Sequence, residues 1–380
     1  MIFNMNKKMN RPTTIGVIGA GGFAFFAVTE WVKIPGVKLG GIYDENSNNA
    51  LRLKDVDASA KIHTSLQELC GDPSIDLVYI ATPPFLHYAQ SKMALLSGKH
   101  VICEKPASTE LVHAQELREL AREKKLLFVV NLMQRYNPLY EAVKELIRKD
   151  VLGNFLHGFF ENYASDEFLA PEHWFWDEEK SGGIFIEHGV HFFDMFVGWL
   201  GPGKVIAAQK LQRANYKNVW DKVHATVRFP NGLVNFYHGF DQPKIMDRQE
   251  MRLLFERGEI TLFEWVPTRL KMTTLCTEEE LQMLSSIFPA AAIEIMERHE
   301  IPVVATARFR KIKYNYKIKL DTGDTVRKQT LYQELVTALF NDQLAWIKDR
   351  THIRKIDQDN AVDSLQLAEE AELTAVKLRN

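Results

Sequence analysis

Between Thr13 and Asn131 the chain repeats one pattern: a short run of apolar, largely β-branched residues followed by an amphipathic stretch of helical spacing. The runs are TIGVIG (14–19), VKLGGIYD (37–44), DLVYIAT (76–82), HVICEK (100–105) and LLFVVN (126–131). They are apolar throughout instead of alternating, so they need cover on both faces, as helices on either side of a parallel sheet provide. The intervening stretches supply the helices. In TELVHAQELRELAREKK (109–125), Leu111, Gln115, Leu117, Leu120 and Ala121 mark a partly apolar face, and Thr109 is placed to cap the N-terminus. The pattern predicts a doubly wound α/β domain.

At 380 residues the chain exceeds what one ordinary core accommodates. Three segments are expected: a flexible tail over 1–12, a nucleotide-binding domain over 13–134, and a substrate-binding and oligomerisation domain over 135–380 whose last helices pack back on the first domain. With 47 Lys+Arg against 49 Asp+Glu and no long basic run, nothing points to nucleic acid or an anionic membrane as partner. Nor does any apolar run approach the ~18 residues of a membrane span. Cys70, Cys103 and Cys276 are odd in number and far apart, which argues for buried thiols in a reducing compartment, against a structural zinc, and for a cytoplasmic location.

Beyond Pro138 the texture becomes aromatic and strand-rich. HATVRFPNGLVNFYHGF (224–240) reads as two alternating strands joined at Asn231-Gly232. MRLLFERGEITLF (251–263), turning at Arg257-Gly258, and FRKIKYNYKIKLDTG (309–323) add strands to a large, open, mainly antiparallel sheet. TEEELQMLSSIFPAAAIEIMERH (277–299) reads as a helix broken or kinked at Pro289, and two amphipathic helices close the chain.

IGVIGAGGFA sets Gly19, Gly21 and Ala24 in the spacing G-x-G-x-x-A, directly after the first strand and opening the first helix. Gly19 permits the tight turn, Gly21 lets a pyrophosphate reach the backbone, and Ala24 lets helix and strand pack closely. Gly22 and Phe23 complete the loop. The next strand ends at Asp44, where a carboxylate would bond a ribose 2'-hydroxyl. Asp44 followed by Glu45 leaves little room for a 2'-phosphate, which favours NAD over NADP, although Arg52 is within reach in sequence.

Ligands of a doubly wound sheet lie at the carboxyl ends of its strands. The run DLVYIAT ends at Thr82, which with Pro83 makes a rigid corner, and His87 comes shortly after, open to reading as a cofactor contact or as a helix-surface histidine. The run HVICEK ends in Glu104 and Lys105 before a proline. There a lysine serves as an acid/base or orienting group, or else pairs with Glu104 at the sheet edge. Downstream, SGGIFIEHGVHFFD (181–194) puts Glu187, His191 and Asp194 on one helical face, with His188 turned away. No metal-ligand spacing accompanies them, so no metal is expected.

The nucleotide fingerprint, EKP (104–106), RYNP (135–138) and SGGIFIEHGVHFFD, in this order, resemble the glucose-fructose oxidoreductase / inositol dehydrogenase (Gfo/Idh/MocA) family. The resemblance runs over nearly the whole chain and is clearest from Thr13 to Gly201. It implies a Rossmann domain followed by an α/β domain whose open sheet makes dimer or tetramer contacts. It also implies that Lys105 and His191 flank the substrate carbon facing the nicotinamide. Glu187, one turn before His191, is placed to bond a neighbouring hydroxyl, and Arg135 and Trp176 are further expected substrate contacts. Cofactor contacts fall to Gly19, Gly21, Gly22, Phe23, Ala24, Asp44, Thr82, Pro83, His87, Glu104 and Lys105. Two departures stand out: Glu187 where an Asp is usual, and Ser181 where a third glycine is common. Trp174, Phe175 and Trp176 either stack on a sugar ring or belong to a core. The expected activity is hydride transfer to or from a sugar, a cyclic polyol or a derivative. Glycoside cleavage by transient redox and a non-catalytic NAD-binding regulator are the alternatives.

Overall fold

The computed structural model describes residues 11–307, 309–324 and 327–379. Apart from Arg11 and Pro12, the expected tail lies outside them. The chain divides into two compact units. One gathers the residues up to Met133 with Asp177–Asp194 and Gln333–Glu369, and the other Gln134–Trp176, Met195–Tyr332 and the residues from Glu370 on.

The first unit holds the parallel sheet, with strands β1 (Thr13–Ile18), β2 (Val37–Tyr43), β3 (Lys61–Ile62), β4 (Leu77–Ile80), β5 (His100–Cys103) and β6 (Phe128–Val130) in the order β3-β2-β1-β4-β5-β6. Helices α1 (Gly22–Trp31), α2 (Ser47–Lys54), α3 (Leu66–Gly71), α4 (Pro84–Leu96) and α5 (Leu111–Lys124) make the crossovers. All of β1, β4 and β6 is buried, as unalternated apolar runs require. The order reverses at β1, which pairs with both β2 and β4, and the carboxyl end of such a strand is where a doubly wound sheet binds a ligand. Trp31 is fully buried, stacks on Phe340 at 4.5 Å and donates its indole N–H to the Val336 carbonyl, so part of the C-terminal helical sequence belongs to this core. Thr109 does not cap α5. Its N-cap is Glu110, and the Leu111 N–H is taken by the Glu369 carboxylate, 2.7 Å away and far along the chain.

The remaining helices are α6 (Pro138–Arg148), α7 (Glu178–Ser181), α8 (Val190–Leu200), α9 (Glu278–Ile287), α10 (Lys328–Lys348) and α11 (Gln358–Thr374). The second unit is built on a ten-stranded sheet of β7 (Phe155–Tyr163), β8 (Lys204–Leu211), β9 (Lys222–Phe229), β10 (Gly232–Gly239), β11 (Arg248–Phe255), β12 (Gly258–Phe263), β13 (Arg269–Cys276), β14 (Ala292–Ala307), β15 (Arg310–Asp321) and β16 (Val376–Leu378). Its order is β14-β15-β13-β12-β11-β7-β10-β9-β8-β16, antiparallel except for β10 with β7 and β16 with β8. The expected hairpin is present, but its two-residue loop is Pro230-Asn231, one residue earlier than expected, and Gly232 pairs with Phe229 as the first residue of β10. Alternation sends Phe160, Phe236, Met251, Leu253, Ile260, Leu262 and Leu270 to one buried face, where Phe196 meets Phe236 edge-on at 5.1 Å. Charged and polar residues such as Glu250, Arg252, Lys271 and Lys319 line a groove of about 610 Å³ on the other face.

The segment 277–299 is not a kinked helix. Thr277 and Glu280 form a capping box that starts α9, Pro289 follows its end, and the rest is the start of β14. Residues Ala292–Ile295 pair with Asp321–Ile318 of β15. Strand pairing here outweighs the local helical tendency of AAAIEIMER. The three cysteines are free, buried thiols, and burial raises Cys70 to about 11 and Cys276 to about 12.

Candidate active site

At the end of β1, Gly19 sits at φ +84°, and a Cβ there would lie 2.7 Å from the Ala81 carbonyl oxygen, so only glycine fits. Gly21 caps α1 without any side-chain bond, and nothing lies within 4 Å of where a Cβ on Gly21 or Gly22 would stand. The first N–H groups of α1, from Gly22, Phe23 and Ala24, have no intrahelical acceptors. Such a cradle suits a pyrophosphate, and the chain's residues fit a dinucleotide. Asp44 already shapes it: Oδ2 accepts from the Ala20 N–H at 2.6 Å and Oδ1 from the Asn46 N–H at 2.7 Å. Arg52 lies against the same loop, its guanidinium 5.1 Å from the Phe25 ring centroid.

In the first unit the end of β5 meets the helical segment that carries Glu187 and His191. Lys105, just past β5, donates from Nζ to a Glu187 carboxylate oxygen at 2.5 Å and to the Glu187 backbone carbonyl at 2.7 Å. The expected alternative, pairing with Glu104, is not what forms. Glu187 lies in a π-helical turn, Phe185–Gly189, that precedes α8. The wider turn interrupts the regular face drawn from spacing alone, and it offers both the side chain and the carbonyl of Glu187 to one lysine. His191 follows in α8. Burial, and secondarily the Lys105 charge, lowers its pKa to about 3, so the ring is neutral near pH 7. Asp194 is buried at 1 % exposure, while His188 packs its ring 5.3 Å from Phe192.

Glu104 turns away from Lys105 into a network that residue spacing did not single out. Its Oε1 accepts from the Tyr79 hydroxyl at 2.7 Å and the Asn131 amide at 2.8 Å, and burial raises it to about 7. Asn131 directly follows β6, so the strand-end rule that selected Lys105 would have selected it as well. Gln90 is a second addition, its side-chain oxygen accepting from the Thr82 hydroxyl at 2.6 Å. His87 is neither a surface residue nor an open contact. It is 1 % exposed, with both ring nitrogens against backbone carbonyls.

Arg135 and Trp176 fall in the second unit. Arg135 is 7 % exposed and donates to the Tyr140 hydroxyl at 2.8 Å. Trp176 is 4 % exposed, lies under the Arg213 guanidinium at 4.9 Å and meets Phe175 edge-on at 4.7 Å. Of the aromatic trio only Trp176 is buried; Trp174 and Phe175 are half-buried. Among the described residues no group of three or more His, Cys, Asp or Glu side chains is arranged to hold a metal ion. No helix among them is long and apolar enough to cross a membrane.

Comparison with known proteins matches residues 13–132 to the oxidoreductase family with an NAD-binding Rossmann fold, and residues 140–261 to the GFO/IDH/MocA C-terminal domain. An oxidoreductase of Synechocystis sp. is 31% identical over 205 residues, which are 51% of this chain and 53% of that protein. The 1,5-anhydro-D-fructose reductase of Ensifer adhaerens is 28% identical over 228 residues, 59% of this chain and 68% of that protein. Among solved structures, the WlbA dehydrogenase of Bordetella pertussis in complex with NADH and UDP-GlcNAcA superposes with a TM-score of 0.74 at 15% identity, over 96% of each chain. A levoglucosan dehydrogenase in complex with NADH and L-sorbose gives the same TM-score, identity and coverage. At that identity the likeness shows the fold alone. The family match over both domains carries the conclusion: the chain belongs to the Gfo/Idh/MocA family of oxidoreductases with an NAD-binding Rossmann domain.

Proposed function

We propose that this protein is an NAD-dependent oxidoreductase acting at a carbinol or carbonyl carbon of a sugar, a cyclic polyol or a derivative. The reading rests on Lys105, held by the carboxylate and carbonyl of Glu187, with a neutral His191 following in α8. Oxidising a carbinol carbon requires its hydroxyl proton to leave as the hydride does, to a base within about 2.6–3.2 Å. His191 takes that proton, and Lys105 orients the oxygen and stabilises its developing negative charge. Glu187 fixes the lysine and offers its second carboxylate oxygen to a neighbouring hydroxyl, which suits a polyol. The bound nicotinamide supplies the hydride exchange. Sugar-directed activities named for a relative and for a structural neighbour support this substrate class. The open face of the ten-stranded sheet serves, in this reading, a homodimer or homotetramer.

The test is calorimetric binding of NAD and NADP, then a panel of sugars and inositols with NADH absorbance as readout, for the wild type, Lys105→Ala and His191→Ala. The expected result is NAD binding in all three and turnover falling by about 10²-fold or more in each variant. Undiminished turnover in either variant would remove that residue from the mechanism. Failure to bind either nucleotide would overturn the whole reading.

A further inference from the structure

Helix α4 directs His87, Gln90, Ser91, Ala94 and Leu95 into the first unit. His87 does something there that the proposed chemistry has not used. Its Nε2 lies 2.7 Å from the Thr82 carbonyl oxygen, and its Nδ1 lies 2.7 Å from the Pro106 carbonyl oxygen. Carbonyl oxygens only accept. A neutral imidazole has one N–H and one bare lone pair, so it donates to one carbonyl and turns a lone pair toward the other. Only the imidazolium donates to both.

The two carbonyls belong to different loops. Thr82 lies after β4 and leads into Pro83, whereas Pro106 immediately follows Lys105 after β5. The charged groups facing the ring are Lys105, which opposes its protonation, and Glu187, which favours it. Burial pulls His87 below an ordinary histidine, and the two carbonyls act in the opposite sense.

We propose that His87 is a positioning residue that works as a proton-operated clasp. The charged ring ties the Thr82 loop to the Lys105–Pro106 loop, and loss of one proton releases one of the two. The geometry in this structure, with both nitrogens 2.7 Å from a carbonyl oxygen, is the one the charged ring would hold. Because Lys105 adjoins Pro106, its placement follows the state of a ring that need touch neither substrate nor cofactor. The catalytic consequence rests on the acid/base reading of Lys105, but the clasp itself does not.

The full-length protein, labelled with ¹⁵N in its histidines and ¹³C at its proline carbonyls, is followed by NMR from about pH 8 down to the lowest pH at which it stays folded. The His87 ring is identified by the signals lost in His87→Gln, or by through-bond assignment from its backbone if that variant does not fold. The expected result is two protonated ring nitrogens at the acid end and one at the basic end, with the Pro106 backbone signals shifting along the same titration curve. NADH binding, and turnover where a substrate is found, should change by about tenfold across that titration in the wild type and lose this dependence in His87→Gln. A ring that keeps one tautomer throughout, or one that titrates while Pro106 stays still, overturns the clasp. Because the ring and Pro106 are read without a substrate, failure of the proposed reaction and failure of the clasp are separable.

Discussion

Asp44 shows how much one side chain does before any ligand arrives. Its two oxygens bind the Ala20 and Asn46 N–H groups, so it holds the glycine loop in shape while standing where a ribose hydroxyl is expected. Replacing it removes a charged acceptor worth about 1.5–3 kcal/mol. Asp44→Ala should therefore weaken NAD binding by about 10–100-fold in calorimetry. NADP binding should fall less, because Arg52 already lies against the loop and the repulsion of a 2'-phosphate is relieved. Equal losses for both nucleotides would mean that Asp44 serves only the loop.

At the scale of elements, α9 and the hairpin that follows show local and non-local forces deciding adjacent stretches. The capping box of Thr277 and Glu280 satisfies orphan N–H groups at the start of α9 from within the sequence itself. Thr277→Ala should lower the stability of the second unit by about 1 kcal/mol, read as a shift of the urea midpoint at unchanged slope. Past Pro289 the chain pairs with β15 instead of continuing as a helix. β13 pairs with β15 only as far as Tyr316, so among the described residues the outer part of the hairpin, 303–307 with 310–314, has strand pairing on one side alone. It exposes Val304 at 54 % and, at its tip, Phe309 at 89 %. An isolated two-stranded ribbon is marginal in water. Light scattering should give a dimer or tetramer, with slow amide exchange in the outer hairpin where it packs on a second copy. A monodisperse monomer would remove the proposed oligomer.

Across the molecule, buried histidines make stability depend on acid. His238 is fully buried in the second unit, and burial lowers it from the ordinary 6.5 to about 3. Between those values the unfolded chain binds a proton that the folded chain refuses, so stability falls as pH drops from about 6.5. One such group gives a slope of about 1.4 kcal/mol per pH unit, and His191 adds to it in the other unit with the same sign. Urea unfolding at a series of pH values should show the slope, and His238→Gln should reduce it for the second unit. An unchanged slope would locate the acid sensitivity elsewhere.

What the sequence determined alone is what short-range chemistry dictates. Unalternated apolar runs require a sheet covered on both faces, and Gly19 is required where φ is positive and a carbonyl oxygen stands 2.7 Å from any Cβ. The alternating strands around Asn231 fold back on each other as a hairpin, with the turn one residue earlier than spacing placed it. Lys105 was legible because a strand end in a doubly wound sheet is a fixed address. Asn131 shares that address, yet Asn carries no strong chemical signal of its own. Tertiary structure alone decided the rest. It chose Glu187 over Glu104 as the partner of Lys105, through a π-turn that a helical-period reading cannot contain. It capped α5 with Glu369 in place of Thr109, made a strand of residues 292–299, and set both nitrogens of His87 against carbonyls. Each of these outcomes depends on which distant groups arrive within hydrogen-bonding distance. That is fixed when the chain packs, and neither local propensity nor residue spacing carries it.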